Sequence, residues 1–505
     1  MRGEPYSLVC RRLDYVSIAN RGIVAYMAPT SVLSADRLRA LVDVSADDPP
    51  GYRELADLIR LLVLDGRIPA GTRLPSERDL TAALPVSRTT VTRAYATLRD
   101  AGLLVSRRGS GSVVALPRGS RPPFMPAPGS TMVGWTIAAG HAAPGVGLAY
   151  GRALEQLPEY LNETGYETTG VPVLRELVAQ RYLERGLPTD PDQIIITSGA
   201  QSALTLLART LAARGERVAV ESPTYPNAID ALRRSGLRVL GVPHDGHRLD
   251  LDALAASVRA APVAWAYLIP DFQNPTGTLM DDVTRHDVAS ILRRSTTTPI
   301  VDETMAELCL DVDEQAMPVP LAAHHPGAIT LGSASKTFWG GLRIGWIRAP
   351  HAVVPRLVAA RETVDIGTPI LEQLAVAELL RVRREVLDGR RERLRARRDE
   401  LVVALRERLP DWGLNAPVGG LSLWVRLPAR ASSRLVVAAE AHDLLLTAGP
   451  RFFADGGGET SLRLPYARSA EHLADGVDRL ALAWDAVVAG RAAPPSTRRR
   501  PALTA

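Results

Sequence analysis

Lysine is almost missing from this 505-residue chain: Lys336 stands alone, and the other 59 of the 60 Lys+Arg positions are arginine. At ordinary usage, on the order of twenty or more lysines would be expected over this length. A high-GC coding bias toward Arg, Ala and Pro accounts for the general replacement, but not for the one position that resisted it. Cysteine is nearly as scarce. Cys10 and Cys309 alone build neither a disulfide framework nor a zinc-ligand cluster, so the expectation is a reducing, cytoplasmic setting and no metal site. No apolar run reaches the roughly 18 residues of a transmembrane helix. The opening MRGEPYSLVCRRLDYVSIANRG lacks the continuous apolar core of a signal peptide, and none is expected.

What is present reads as a soluble globular chain with room for more than one domain: 46% of its residues are hydrophobic. Positive charge is concentrated. Residues 51–120 hold eleven arginines against six acidic residues, a local excess equal to the +5 of the whole chain. A small basic segment beside a large neutral one fits a nucleic-acid contact, and on charge alone it fits a solvated surface equally well.

The periodicity divides the chain. Residues 1–48 form an extension with one short helix at 35–42. From Tyr52, Leu55, Leu58, Ile59, Leu62 and Val63 mark one face of a helix that Gly66 and Pro69 end. Ser76 caps a second helix with Asp79 three positions on, and Ser87 caps a third that Gly102 stops. LLVSRRGSGSVVAL reads as two strands around a Gly/Ser turn. Residues 49–116 thus read as a winged helix-turn-helix, and 117–133 as an extended Pro/Gly-rich linker. Between 134 and 489, short apolar strands alternate with helices: IIIT, RVAV, AWAYLIP, PIVD and AITLG are the clearest. This pattern predicts an α/β domain on a mainly parallel sheet, with a smaller α+β part from about 384. The arginine-rich helix that opens the smaller part reads as a solvated face. Residues 490–505 read as a disordered tail, and no internal repeat is found.

In a helix-turn-helix the second helix enters the major groove, N-terminal residues first. Ser87, Arg88, Thr89 and Thr90 hold those positions, with Arg88 suited to a guanine edge and the hydroxyls to phosphates. Arg78 lies on the preceding helix, and Arg107 and Arg108 make a basic wing tip. The ordered set LPSERDL, VSRTTVTRAY and RGSGSVV closely resembles the DNA-binding domain of GntR-type regulators. That resemblance implies dimeric operator binding, with Arg78, Arg88 and Thr89 at the family's contact positions. Thr92 departs from the arginine that some subfamilies place there.

Lys336 can do what no arginine can, because only an amine condenses with an aldehyde. The residues around it fit the aldehyde cofactor pyridoxal phosphate. Gly199, Ala200 and Gln201 open a helix after IIIT, where backbone N–H groups suit a phosphate. Tyr225 follows RVAV and can stack on a ring. Asn274 sits in the turn QNPTG, and Asp302 ends PIVD at the sheet's carboxyl edge. Ser333, Ser335 and Arg343 flank the lysine with hydroxyls and a cation for a dianion. SGAQSAL, ESPTYP, QNPTG, VDE and SASKTFWGGLRIGW resemble, in order and spacing, the fold type I aminotransferase family over about 134–489. The resemblance implies Lys336 as the Schiff-base lysine, Asp302 on the pyridinium, Asn274 on the ring hydroxyl and Tyr225 stacked on the ring. It also implies Arg463 for a substrate or effector carboxylate, and Tyr166 reaching toward the partner subunit. The family's tyrosine just beyond the aspartate is replaced by Thr304 and Met305, which counts against efficient transamination but not against cofactor binding.

The two resemblances in one chain match the MocR subfamily of regulators. They imply a head-to-tail homodimer that binds double-stranded operator DNA and senses pyridoxal phosphate or an amine effector, with no membrane partner. The competing expectation is a working aminotransferase that carries a vestigial DNA-binding domain.

Overall fold

The computed structural model of the chain describes residues 31–44, 49–107, 111–116 and 130–490. The expectations for most of the N-terminal extension, for Arg108, for linker residues 117–129 and for the tail from 491 fall outside the described residues.

Serine caps set three of the four described helix starts of the first unit. Helix α1 (Ala35–Val42) begins at Ser34 and α2 (Tyr52–Leu64) at Gly51. Ser76 Oγ accepts from the Asp79 N–H at 3.1 Å to start α3 (Glu77–Ala83), and Ser87 Oγ accepts from Thr90 N–H at 3.1 Å to start α4 (Arg88–Asp100). Each cap satisfies an otherwise orphaned donor and contributes about 1 kcal/mol. Strands β1 (Ser31–Val32), β2 (Thr72–Arg73), β3 (Leu104–Arg107) and β4 (Gly111–Val114) pair in the order β1-β2-β4-β3, with β3 and β4 as the antiparallel wing. Leu55, Ile59, Leu80, Val91, Tyr95 and Leu98 close a separate core beneath them. The expected winged helix-turn-helix is present.

Past β5 (Val133–Gly134) and α5 (Val146–Gln156), α6 (Pro172–Glu184) leads into the large sheet. Its strands are β6 (Ile194–Thr197), β7 (Arg217–Ser222), β8 (Arg238–Pro243), β9 (Trp265–Leu268), β10 (Thr298–Asp302), β11 (Ile329–Ser333) and β12 (Gly345–Arg348). They run in the order β6-β12-β11-β10-β9-β7-β8, parallel except for β12, which is antiparallel to both neighbours. The five strands legible in the sequence are here. RVLGVP and GWIR are further ones, each carrying a glycine that weakens its strand signal. Because β6, β9, β10 and β11 are parallel, the segments after them emerge at one carboxyl edge, where α/β sheets bind ligands. Helices α7 (Ala200–Leu211) and α8 (Pro226–Arg234) begin at that edge.

The smaller part pairs β13 (Ser422–Arg426) with β15 (Ser461–Pro465) antiparallel, while β14 (Leu444–Leu445) runs parallel to β5. Chain from just before the large sheet is therefore stitched into the C-terminal part. The long helix Arg383–Arg408 forms as expected, but its arginines are not a uniformly solvated face. Arg383, Arg390, Arg391 and Arg398 are buried. Arg383 meets Glu307 at 2.7 Å, Arg391 meets Glu314 at 2.9 Å, and Arg398 meets Asp311. These acids follow β10, far away in sequence. Alternating charges along a helix look the same whether their partners lie on the helix or across from it, which is why the pattern misled.

The first unit packs on the smaller part. Arg60 of α2 meets Glu440 at 2.8 Å, Arg434 meets Glu54 at 3.0 Å, and Arg430 meets Asp43 at 2.5 Å. Leu61 leaves its own unit's core and joins the core of the smaller part. Exposed ion pairs contribute about 0.2–1 kcal/mol each, and burying a leucine side chain contributes about 1.5–3 kcal/mol.

Candidate functional site

A cavity of about 660 Å³ opens at the carboxyl edge of the sheet, within the size range of ligand sites. Ala200, Gln201, Tyr225, Asn274, Asp302, Ser333, Ser335, Lys336, Arg343 and Arg463 all line it. Gly199 stands just behind. Its φ of +94° is a left-handed value, and a Cβ there would lie 2.6 Å from Arg343 Nη2, so only glycine fits. Arg343 in turn donates to Ser198 O at 3.1 Å. The phosphate corner expected from sequence is thus spatially contiguous: a glycine turn, a helix start and a guanidinium.

Lys336 lies in the one-turn helix Ala334–Thr337 that follows β11, and its Nζ donates to Ala138 O at 2.7 Å. Burial, with the Arg463 charge adding to it and Asp302 opposing, lowers its pKa to about 8. Arg390 donates to the Lys336 carbonyl at 3.1 Å and to that of His141 at 3.2 Å, fixing the backbone that carries the amine. Asp302 is buried, which raises its pKa, while donors from Tyr267 and Thr304 hold it down. Tyr267 Oη donates to Asp302 Oδ2 at 2.6 Å and the Thr304 N–H to Oδ1 at 2.9 Å. Sequence reasoning passed over Tyr267 because AWAYLIP reads as an apolar core strand. Its position on β9, hydrogen-bonded to β10, was the available signal.

Arg463 is buried, and burial lowers its pKa to about 10. It donates to Thr136 O at 2.5 Å and to Asn274 Oδ1 at 3.4 Å, while its Nε has no partner. Ser335 Oγ is likewise buried without a partner. Orphaned donors beside a cradle that tolerates no Cβ fit an anionic group. Ser333 differs: its hydroxyl donates to Ile344 O at 3.2 Å and accepts from the Ser335 N–H at 3.1 Å, so it positions its neighbour. Tyr166 is 69% exposed and does not line the cavity.

On the other unit, Arg78, Ser87, Arg88 and Thr89 are exposed and Thr90 is half-buried. The Ser87 and Thr90 hydroxyls lie 2.9 Å apart in the cap, leaving Arg88 and Thr89 as the outward groups of α4. Thr92 Oγ1 donates to Glu77 at 2.7 Å, and the Arg93 guanidinium lies 3.8 Å from the centre of the Tyr52 ring. Arg93 is therefore engaged elsewhere and does not replace the arginine missing at 92. Arg107 ends β3 at the wing.

Fold and cavity together define an aminotransferase-like domain fused to a winged helix-turn-helix. The chain belongs to the aminotransferase class I and II family, whose model matches residues 158–480, and the model of the gntR family of bacterial regulatory proteins matches residues 51–114. The pair is the MocR-like architecture. The uncharacterized HTH-type transcriptional regulator YisV of Bacillus subtilis is 29% identical over 83% of this chain and 93% of its own. The 2-aminoadipate transaminase of Thermus thermophilus is 34% identical over 64% of this chain and 81% of its own. The solved structure of LysN, an α-aminoadipate aminotransferase of Thermus thermophilus complexed with N-(5'-phosphopyridoxyl)-L-leucine, is also similar. It is 31% identical with a TM-score of 0.65, covering 71% of this chain and 93% of that one. No helix among the described residues is long and apolar enough to cross a membrane.

Proposed function

We propose that this protein is a pyridoxal phosphate-binding transcriptional regulator that binds operator DNA as a homodimer and responds to an amine or amino-acid effector. The observation that supports it most is the shared cavity: Lys336, Asp302 and Arg463 line it together with Leu61 and Leu64 of the DNA-binding unit. Such a regulator works in the cytoplasm. The proposed units are residues 49–116 for DNA and 134–489 for the cofactor, joined by 117–133.

When bound, the cofactor supplies an aldehyde for amines and an electron-withdrawing ring. Lys336 would hold the aldehyde carbon, and with a pKa near 8 part of its amine is unprotonated at neutral pH. Asp302, oriented by Tyr267, would hold the proton on the ring nitrogen. Asn274 would donate to the ring hydroxyl and Tyr225 would cover the ring face. Ser335, Arg343 and the N–H groups at Gly199–Gln201 would hold the phosphate. Arg463, with its unpartnered Nε, would bind the effector's carboxylate. Leu161 and Tyr166, each 69% exposed, support a second subunit covering that loop. Effector binding would change DNA affinity by favouring one placement of the two DNA-binding units.

The test is a gel shift on the protein's own upstream DNA, with and without pyridoxal phosphate, for the parent, Lys336→Ala and Arg88→Ala. The reading expects specific binding that Arg88→Ala weakens and a cofactor response that Lys336→Ala removes. The complete Lys336, Asp302, Asn274 and Arg463 set also favours a second reading, a transaminase. Ordinary turnover of amino acids without specific DNA binding would put that reading first.

A further inference from the structure

Two of the cofactor residues hang from neighbouring strands: Asp302 ends β10, and Asn274 sits in the turn after β9. Each segment also carries a second carboxylate that does not line the cavity. Glu303 directly follows Asp302, and Asp271 stands three residues before Asn274; both are buried. One guanidinium joins them. Arg185, the residue after α6, donates from Nη1 to Glu303 Oε2 at 3.1 Å and from Nη2 to Asp271 Oδ2 at 3.2 Å. The two acids do not depend on it equally. Asp271 also accepts from Arg285 Nη2 at 2.7 Å, and Arg285 Nε is held by Met280 O at 2.8 Å, so Asp271 stays anchored without Arg185. Glu303 has Arg185 as its ion-pair partner, and its Oε1 is buried with no partner. Burial pushes the Glu303 pKa up and the Arg185 charge opposes it. Without that cation the carboxylate would have to move or take a proton. Movement there matters, because the next N–H along the chain, that of Thr304, donates to Asp302 Oδ1 at 2.9 Å.

We infer that Arg185 is a positioning residue for the ring-nitrogen contact: by bridging Asp271 and Glu303 it fixes the segment that aims Asp302, without itself touching the cofactor. The inference rests on the proposed reading of Asp302 as the partner of the ring nitrogen. The bridge needs a fork. A planar guanidinium donates in two directions at once, whereas a lysine ammonium is a single point charge on a flexible stem. The effect is local to one end of the cofactor. The phosphate corner at Gly199, Ser335 and Arg343 is carried by the segments after β6 and β11, which Arg185 does not bridge.

The test uses the full-length protein and two probes: pyridoxal phosphate and its 1-deaza analogue, in which a C–H replaces the ring nitrogen. Absorbance and tryptophan-fluorescence titrations give the affinity for each. The parent should prefer pyridoxal phosphate by about tenfold, as expected for one hydrogen bond to a charged group. In Arg185→Met that preference should shrink by about threefold or more; a ratio cancels any general weakening of the site. Arg185→Lys keeps the charge, guards against a variant that fails to fold, and should fall between the two. Arg348→Met is the control. Arg348 is also a buried arginine, but it donates to Thr189 Oγ1 at 3.0 Å at the amino end of the sheet, and its loss should leave the preference unchanged. A parental preference in both Arg185 variants, or an equal loss in Arg348→Met, overturns the inference while the cofactor reading stands. A parent that binds both probes equally removes the Asp302 contact and the inference with it. A parent that binds neither overturns the cofactor reading as well.

Discussion

Tyr267 donates its phenol proton to Asp302 across the β9–β10 boundary, at 2.6 Å, with both side chains buried. Burial keeps the phenol's pKa well above its ordinary value, so tyrosine is the donor and aspartate the acceptor. Together with the Thr304 N–H, this gives each carboxylate oxygen a donor in a place where burial alone would favour protonation. The tyrosine that the family places just after the aspartate is absent at Thr304 and Met305. A tyrosine from the neighbouring strand acts on the carboxylate instead.

Tyr267→Phe should therefore weaken the cofactor without emptying the core. A hydrogen bond to a charged group contributes about 1.5–3 kcal/mol. Affinity for pyridoxal phosphate, read by absorbance titration, should fall about tenfold or more, and because the Tyr267 donor lowers the basicity of Asp302, the bound spectrum should keep its ring-protonated form to higher pH than in the parent. An unchanged spectrum and affinity would show that the Asp302 carboxylate does not depend on this donor.

Loading of the apoprotein should follow the Lys336 amine. Its pKa is lowered to about 8 by burial and the Arg463 charge. The free base is the reactive form, so the loading rate should rise with pH up to about 8 and then level off. Arg463→Gln removes one source of the lowering and should move the midpoint upward. Stopped-flow absorbance across pH 6–10 checks both expectations.

Glu221 lies fully buried, accepting from the Ile269 N–H at 3.0 Å, and burial raises its pKa to about 8. Between pH 4.5 and 8 the unfolded chain releases this proton while the folded one keeps it, so stability falls as pH rises through that window. Glu221→Gln cannot ionise in either state. It should match the parent near pH 5 and exceed it at pH 8 by on the order of 3 kcal/mol. Denaturant melts at the two pH values measure the difference.

Glu307 carries the opposite sign. Burial alone would raise its pKa, but Arg181 and Arg383 outweigh it and lower it to about 2. Its contribution is complete above the unfolded value and is lost as pH falls from 4.5 toward 2. Glu307→Gln should cost about 3 kcal/mol at neutral pH, because two buried guanidiniums lose their charge partner. The cost should fade in acid, and thermal melts at pH 7 and pH 3 test that convergence.

Arg88→Ala should lower operator affinity by about 1–3 kcal/mol, roughly ten- to a hundredfold, and relax sequence preference at one base pair. Thr92→Ala, whose hydroxyl is held by Glu77, should change affinity far less. Fluorescence anisotropy on operator and scrambled duplexes separates the two.

Much of this was legible in the sequence because local chemistry announced it. Ser76 and Ser87 mark helix starts through the caps they form, and the motifs around Gly199, Asn274, Asp302 and Lys336 follow parallel strands that must end at one edge. What the sequence hid was long-range. Tyr267 is indistinguishable from a core tyrosine until β9 lies beside β10. The arginines of Arg383–Arg408 look solvated until Glu307 and Asp311 are brought against them. Leu61 fits its own helix stripe, and nothing local says that it belongs to another domain's core. Contacts between segments tens to hundreds of residues apart leave no periodic trace.

That wall at Leu61 and Leu64 makes the cavity's volume depend on where the DNA-binding unit sits. Any tilt of α2 shifts this part of the cavity lining, and a ligand in contact with it resists the tilt. Binding free energies are reciprocal: if the ligand alters operator affinity through this wall, the operator alters ligand affinity by the same factor. A promoter-bound molecule and a free one would then read different concentrations of the same metabolite.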